Sequence, residues 1–151
     1  MFKEKVNDMY IFFIAALCLI WSSSSFSEPP VKKIKIPEQI SGSILINSED
    51  LIKLSQSLEE MVVIDSRVTE DRNMGYIENS LSLPDMETNC KTLNKNISTL
   101  ETPVVFYCNG PECGRSVIAT RKAVQCGYTH LYWFRGGFAE WKNKDYPYEI
   151  E

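Results

Sequence analysis

The sequence predicts an α/β fold: a single domain with a central, mostly parallel sheet flanked by helices. Three observations predict it. Residues 61–65, 103–108 and 131–134 are short, continuous apolar runs, the pattern of strands buried on both faces. Helical spacing and helix boundary signals lie between these runs. Apolar strands that alternate with helices form a parallel sheet covered on both sides, and ligands then sit at the carboxyl ends of the strands.

The elements follow in order along the chain. Residues 28–39 begin with a Pro- and Lys-rich stretch and read as an extended linker. Ile44-Leu45-Ile46 is a short apolar strand. Asn47 or Ser48 caps the next helix, with Glu49 and Asp50 in its first turn, where the helix dipole favours anions. Leu51, Leu54, Leu58 and Met61 keep helical spacing. Met61-Val62-Val63-Ile64-Asp65 is a buried strand ending in a carboxylate. Residues 77–83 alternate loosely and stop at Pro84, and residues 85–96 are polar. Pro103-Val104-Val105-Phe106-Tyr107-Cys108 is the second buried strand. A loop over 109–114 leads into a helix over 115–126, stopped by Gly127 at its C′ position. Ala119, Ala123 and Cys126 form a small-residue face on that helix, which places Cys126 in the core. Leu131-Tyr132-Trp133-Phe134 is the third apolar strand, and a short helix follows over 138–142. Trp133, Phe134, Phe138 and Trp141 read as core, and His130 as a surface residue before a strand.

The chain has 151 residues, 44% of them hydrophobic and 24% charged, which is ordinary globular composition. A formal net charge of -4 argues against nucleic acid as a partner. With a single histidine, a Cys/His zinc site is poorly supplied, and neither metal nor cofactor is expected. Residues 1–27 read as a cleavable signal peptide. Lys3 and Lys5 precede an uncharged apolar run over 10–21, short of the ~20 residues a spanning helix needs. Ser25 and Ser27 then fit the small-residue positions of a cleavage site. The expected location is periplasmic or secreted, without a stable membrane span after cleavage. Four cysteines remain in the mature chain, Cys90, Cys108, Cys113 and Cys126, and an oxidising compartment makes disulfides durable.

Cys108 carries the chemistry. The stretch Cys108-Asn109-Gly110-Pro111-Glu112-Cys113-Gly114-Arg115 runs from strand through tight loop to helix. Such a loop turns successive N–H groups inward, and with a helix N-terminus behind them they bind an anion. The same donors stabilise a thiolate, and Arg115 adds a fixed charge. No general base stands nearby in sequence, so the favoured chemistry is attack by a pre-ionised Cys108 thiolate on an anionic substrate held over the loop.

Over roughly residues 40–150 the sequence resembles a rhodanese domain. Val63-Ile64-Asp65-Ser66-Arg67 resembles the family's strand-end DxR, and residues 75–84 its GHIxGAxxxP segment. Arg135-Gly136-Gly137-Phe138-Ala139-Glu140-Trp141 resembles the closing GGxxxW, with Tyr146-Pro147 after it. The resemblance implies one rhodanese-like domain over 40–151, following the signal peptide and linker. It implies a sulfurtransferase in which Cys108 accepts sulfane sulfur as a persulfide. Its partner is then a small sulfur-containing anion such as thiosulfate, or a protein persulfide. Asn109, Gly110, Pro111, Glu112, Cys113, Gly114 and Arg115 are the substrate-binding loop, and Asp65 and Arg67 its structural support. Three departures stand out. Tyr76 and Asn79 replace the usual His and Gly, and six residues rather than four separate Cys108 from Arg115. The longer loop is similar to the CNGPxC subgroup of exported rhodanese-like proteins. Alternative readings are a thiol–disulfide module using Cys108 and Cys113, or a phosphatase or arsenate reductase of the same fold.

Several residues carry two readings. Cys113 is a second redox thiol that forms a disulfide with Cys108, or a small residue whose side chain points away. Arg115 binds the substrate anion, or supports the loop by pairing with a carboxylate such as Glu112. Glu112 points to solvent or selects the acceptor. Cys90 is a free thiol or a disulfide partner.

Overall fold

A computed structural model of the chain describes residues 35–150. The expected signal peptide, residues 1–27, and linker residues 28–34 lie outside the described residues. The elements in order are β1 (Ile44–Ile46), α1 (Ser48–Ser57), β2 (Val62–Asp65), α2 (Thr69–Arg72), β3 (Tyr76–Ile77), β4 (Leu81–Ser82), α3 (Cys90–Asn96), β5 (Val104–Tyr107), α4 (Arg115–Gln125), β6 (Leu131–Phe134), α5 (Gly137–Asn143) and β7 (Tyr148–Glu149). Five strands form one parallel sheet in the order β1-β6-β5-β2-β4, and β3 pairs antiparallel with β7 in a separate ribbon. The α/β architecture expected from the alternating pattern is the one found.

The central position of β5 explains its unbroken apolar sequence. All four of its residues are buried, because helices cover both faces of the sheet. Val104 and Phe106 pack on one face with Ile64, Leu93, Ala119 and Leu131. Val105 and Tyr107 pack on the other with Leu51, Phe138 and Trp141. The small Ala119 and Ala123 side chains are fully buried and let α4 approach the sheet closely. Asn47, not Ser48, caps α1: its side chain accepts from the Asp50 N–H at 2.9 Å and the Asp50 carboxylate answers in a capping box. Lys144 ties α5 to α1 by bridging Glu49 and Glu140, and holds the Glu49 carboxyl down at about 2.

The structure fills in two segments and corrects one expectation. Within residues 77–83, Asn79 adopts a positive φ of 59° and turns the chain, so β3 and β4 join different sheets. The polar stretch 85–96 contains α3, capped by the Asn89 side chain, which accepts from the Lys91 and Thr92 N–H groups. Cys126 is not a plain core residue. It ends α4 and forms a disulfide with Cys90, the first residue of α3, with Cα atoms 5.3 Å apart. This bond ties α3 to the far end of α4 across a sequence separation of 36. Cys90→Ser is expected to lower stability by roughly 4 kcal/mol, the chain entropy of a loop of that length. Urea denaturation checks it, and Cys126→Ser should cost the same amount.

Candidate active site

Cys108 lies at the carboxyl end of β5, the middle strand of the sheet, and is 1% exposed. Its position follows from the apolar run before it: β5 is held in the core by both faces, so its end is fixed. The loop 109–114 is then clamped by α5. Phe138 N–H donates to the Cys108 carbonyl and Ala139 N–H to the Asn109 carbonyl, both at 2.8 Å. Gly137 makes this approach possible. It has a φ of +58°, and a Cβ there would overlap the Cys108 carbonyl oxygen. Gly137→Ala should cost at least about 1–2 kcal/mol from the left-handed backbone alone, before the overlap is counted. Thermal unfolding of that variant measures it, and an unchanged melting point would show that the loop yields freely.

Within the loop, Cys113 N–H donates to the Gly110 carbonyl at 3.0 Å and turns the chain back on itself. Cys108 and Cys113 are joined by a disulfide, with Cα atoms 6.2 Å apart. Of the two expectations for Cys113, the structure therefore shows the bonded one. Gly114 is the N-cap of α4 and offers no side-chain cap, so the first-turn N–H groups of α4 remain available at the loop. Glu112 is exposed and does not pair with Arg115. Arg115 instead reaches Asp85, Nη1 to Oδ1 at 3.3 Å, while Lys122 donates to the Asp85 carbonyl at 2.6 Å. Glu112 points to solvent, one of its two readings, and the carboxylate that Arg115 meets is the buried Asp85.

Beneath the loop lies a buried polar network. Asp65 accepts from Arg67 Nε at 2.9 Å and Nη2 at 2.6 Å, and from the Tyr107 hydroxyl at 2.8 Å. Arg72 joins at 3.4 Å. Arg67 also donates to the Gly75 carbonyl at 2.8 Å and lies over the Phe138 ring. It thus links the DxR strand end to α5, the helix that clamps the Cys108 loop. Burial opposes the Arg67 charge, but the bonds to Asp65 outweigh it and raise its pKa. Burial, reinforced by the Asp65 carboxylate, pushes the Tyr107 phenol well above its usual range. Both groups stay in one protonation state under ordinary conditions. Asn109 is tied to this network through Asp71, Nδ2 to Oδ2 at 2.8 Å.

Sequence reasoning missed Asp71, Arg72, Asp85 and Tyr107 as members of the site. Tyr107 did leave a signal, a hydroxyl at the end of an otherwise aliphatic and phenylalanine strand, which needs a buried partner. Ser66 was also passed over. It continues the β2–β5 pairing beside Cys108, is fully buried, and its hydroxyl has no hydrogen-bond partner among the described residues. His130 is exposed and bonds the Glu101 carbonyl, away from the loop. Trp133, Phe134, Phe138 and Trp141 are all buried in the core, as expected. Among the described residues no cluster of His, Cys, Asp or Glu has the makings of a metal site, and no helix is long and apolar enough to cross a membrane.

A shallow depression of about 350 Å³ is lined by Asn109, Gly110, Pro111, Glu112 and Cys113. A larger groove of about 770 Å³ lies between α1 and α5 and shares only Pro111 with the loop. Its lining holds no cysteine, serine or threonine.

Comparison with known proteins agrees with this geometry. Residues 38–144 match the family described as Rhodanese-like domain. No curated protein matches at a significant level. Among solved structures, the BH2092 protein of Bacillus halodurans aligns with a TM-score of 0.64 at 21% identity, covering 96% of this chain and 86% of that one. A polysulfide-sulfur transferase of Wolinella succinogenes aligns with a TM-score of 0.61 at 23% identity, covering 73% and 80%. A thiosulfate sulfurtransferase of Pseudomonas aeruginosa aligns with a TM-score of 0.61 at 21% identity, covering 72% of this chain but 20% of that one. At these identities the likeness is one of fold.

Proposed function

This chain belongs to the rhodanese-like domain family, and from that premise we propose that it is an exported sulfurtransferase. It carries sulfane sulfur as a persulfide on Cys108 and passes it to a thiophilic acceptor. The observation that carries the reading is the place of Cys108, at the end of the central strand, opening a loop that runs into the uncapped N-terminus of α4. The helix dipole and loop N–H groups favour the thiolate there. With thiosulfate as donor, the Cys108 thiolate attacks the outer sulfur. A bond forms from Sγ to that sulfur, the sulfur–sulfur bond of thiosulfate breaks, and sulfite leaves with the electron pair. Asp65 and Arg67 hold the loop's supports and take no part in bond making. A small sulfur-containing anion or a protein-bound persulfide suits the site.

Reduced protein mixed with thiosulfate should release one equivalent of sulfite, and with cyanide present should form thiocyanate. No sulfite would overturn the reading. Export rests on the N-terminal sequence and is supported by two disulfides, which persist in oxidising compartments. Sequencing the N-terminus of the mature protein tests it, with Glu28 expected first.

Arg115→Ala should raise the KM for thiosulfate while changing stability by less than about 1 kcal/mol, the usual worth of a partly exposed ion pair. Arg115→Lys should restore only part of the affinity, because the guanidinium fork is lost. Steady-state kinetics beside urea denaturation separate the two effects. An unchanged KM would make Arg115 a loop support through Asp85.

A further inference from the structure

We propose that Cys113 resolves the Cys108 persulfide, so that the protein also reduces sulfane sulfur to sulfide and ends the step as the Cys108–Cys113 disulfide. This rests on the sulfurtransferase reading of Cys108. The step balances within the loop. The Cys113 thiol attacks Sγ of Cys108, the bond from Sγ to the outer sulfur breaks, and that sulfur departs with the electron pair and the Cys113 proton as hydrosulfide. The two cysteine sulfurs are oxidised to the disulfide and the sulfane sulfur is reduced to sulfide. An external dithiol then reduces the disulfide and restores both thiols.

The geometry supports each part. The two cysteines are within bonding reach, and the turn closed by Cys113 N–H and the Gly110 carbonyl brings the second back over the first. The other pair cannot substitute. Cys126 sits beyond the last turn of α4, whose eleven residues span roughly 16 Å, and it is already bonded to Cys90. The disulfide is also presented asymmetrically. Cys108 is 1% exposed, whereas Cys113 is half-buried and lines the shallow depression of the loop. An incoming dithiol therefore meets Cys113 first. Attack at that sulfur expels Cys108 as the leaving thiolate, and the N-terminus of α4 favours that leaving group. The loop thus returns its nucleophile in the ionised form that the next sulfur donor requires.

The test is a single turnover without cyanide. Protein is reduced, freed of reductant and mixed with stoichiometric thiosulfate. Sulfite and sulfide are measured, and the products are mapped by intact mass and by peptides. Wild type should release sulfite and sulfide in equal amounts and carry a Cys108–Cys113 disulfide. Cys113→Ser and Cys113→Ala should release sulfite, give background sulfide and keep one extra sulfur atom on Cys108. Wild type that keeps the extra sulfur and releases no sulfide overturns the reduction step and leaves the sulfurtransferase reading standing. No sulfite from wild type or from either variant overturns both. Two variants with native circular dichroism guard against a folding defect at one substitution.

Discussion

Cys108→Ser is expected to abolish sulfur transfer from thiosulfate to cyanide while the fold survives. Serine is nearly isosteric with the almost fully buried Cys108 side chain, so packing changes little. An alcohol, however, is not ionised near neutral pH and cannot take up sulfane sulfur. Removing the nucleophile of a covalent mechanism costs up to about six orders of magnitude in rate, so thiocyanate formation should fall to background. The substitution also removes the Cys108–Cys113 bond. Cys113→Ser removes the same bond, so the stabilities of the two variants should agree and only Cys108→Ser should fail to release sulfite. Activity above roughly a tenth of wild type, where losing a nucleophile predicts far less, would move the catalytic role elsewhere, with Cys113 the first suspect.

Asp65→Ala is expected to be the most destabilising single change in the site's supports. Its carboxylate accepts from two side-chain nitrogens of Arg67 and from Tyr107, and Arg72 adds a second cation. Asp65 and Arg67 are 1% and 2% exposed. Taking the carboxylate away leaves a buried guanidinium without its charge partner, a loss of about 3–5 kcal/mol, and leaves the Tyr107 phenol with Ser80 alone as a side-chain partner. Because Arg67 also reaches Gly75 and the ring of Phe138, the damage should spread to the α5 clamp on the Cys108 loop. Urea denaturation of Asp65→Ala beside Asp65→Asn measures it. Asparagine keeps one acceptor oxygen and should retain part of the stability. A loss below about 1 kcal/mol, the value of a surface pair, would show that water or another group replaces the carboxylate.

Much of this molecule could be read from local sequence. The three apolar runs marked β2, β5 and β6, because a strand buried on both faces admits no polar alternation. The position of Cys108 at a strand end, and the glycine- and proline-bearing loop before a helix, located the site. Asp65 and Arg67 were legible as a pair only through the resemblance to the rhodanese DxR segment. The strands and the loop are set within a few residues, by periodicity and by backbone preference.

What local sequence left open was decided by residues far apart in the chain. Arg115 pairs with Asp85, thirty positions away, rather than with Glu112 close by. That choice depends on where the segment after β4 packs against the start of α4. Cys126 looked like the end of an apolar helix face, and its disulfide with Cys90 appears only once α3 is laid beside α4. Residues 77–83 alternate only loosely, and the positive φ at Asn79 divides them between two sheets. Gly137 gave no sign in sequence of its contact with the Cys108 carbonyl, which needs the crossing of α5 over the loop. Sequence alone determined the α/β class, the strand-end place of Cys108 and the loop, because periodicity, strand ends and turn residues are short-range signals. The tertiary structure alone decided which charges are paired and which cysteines are bonded, because those partners meet only after the sheet has set the distances between them.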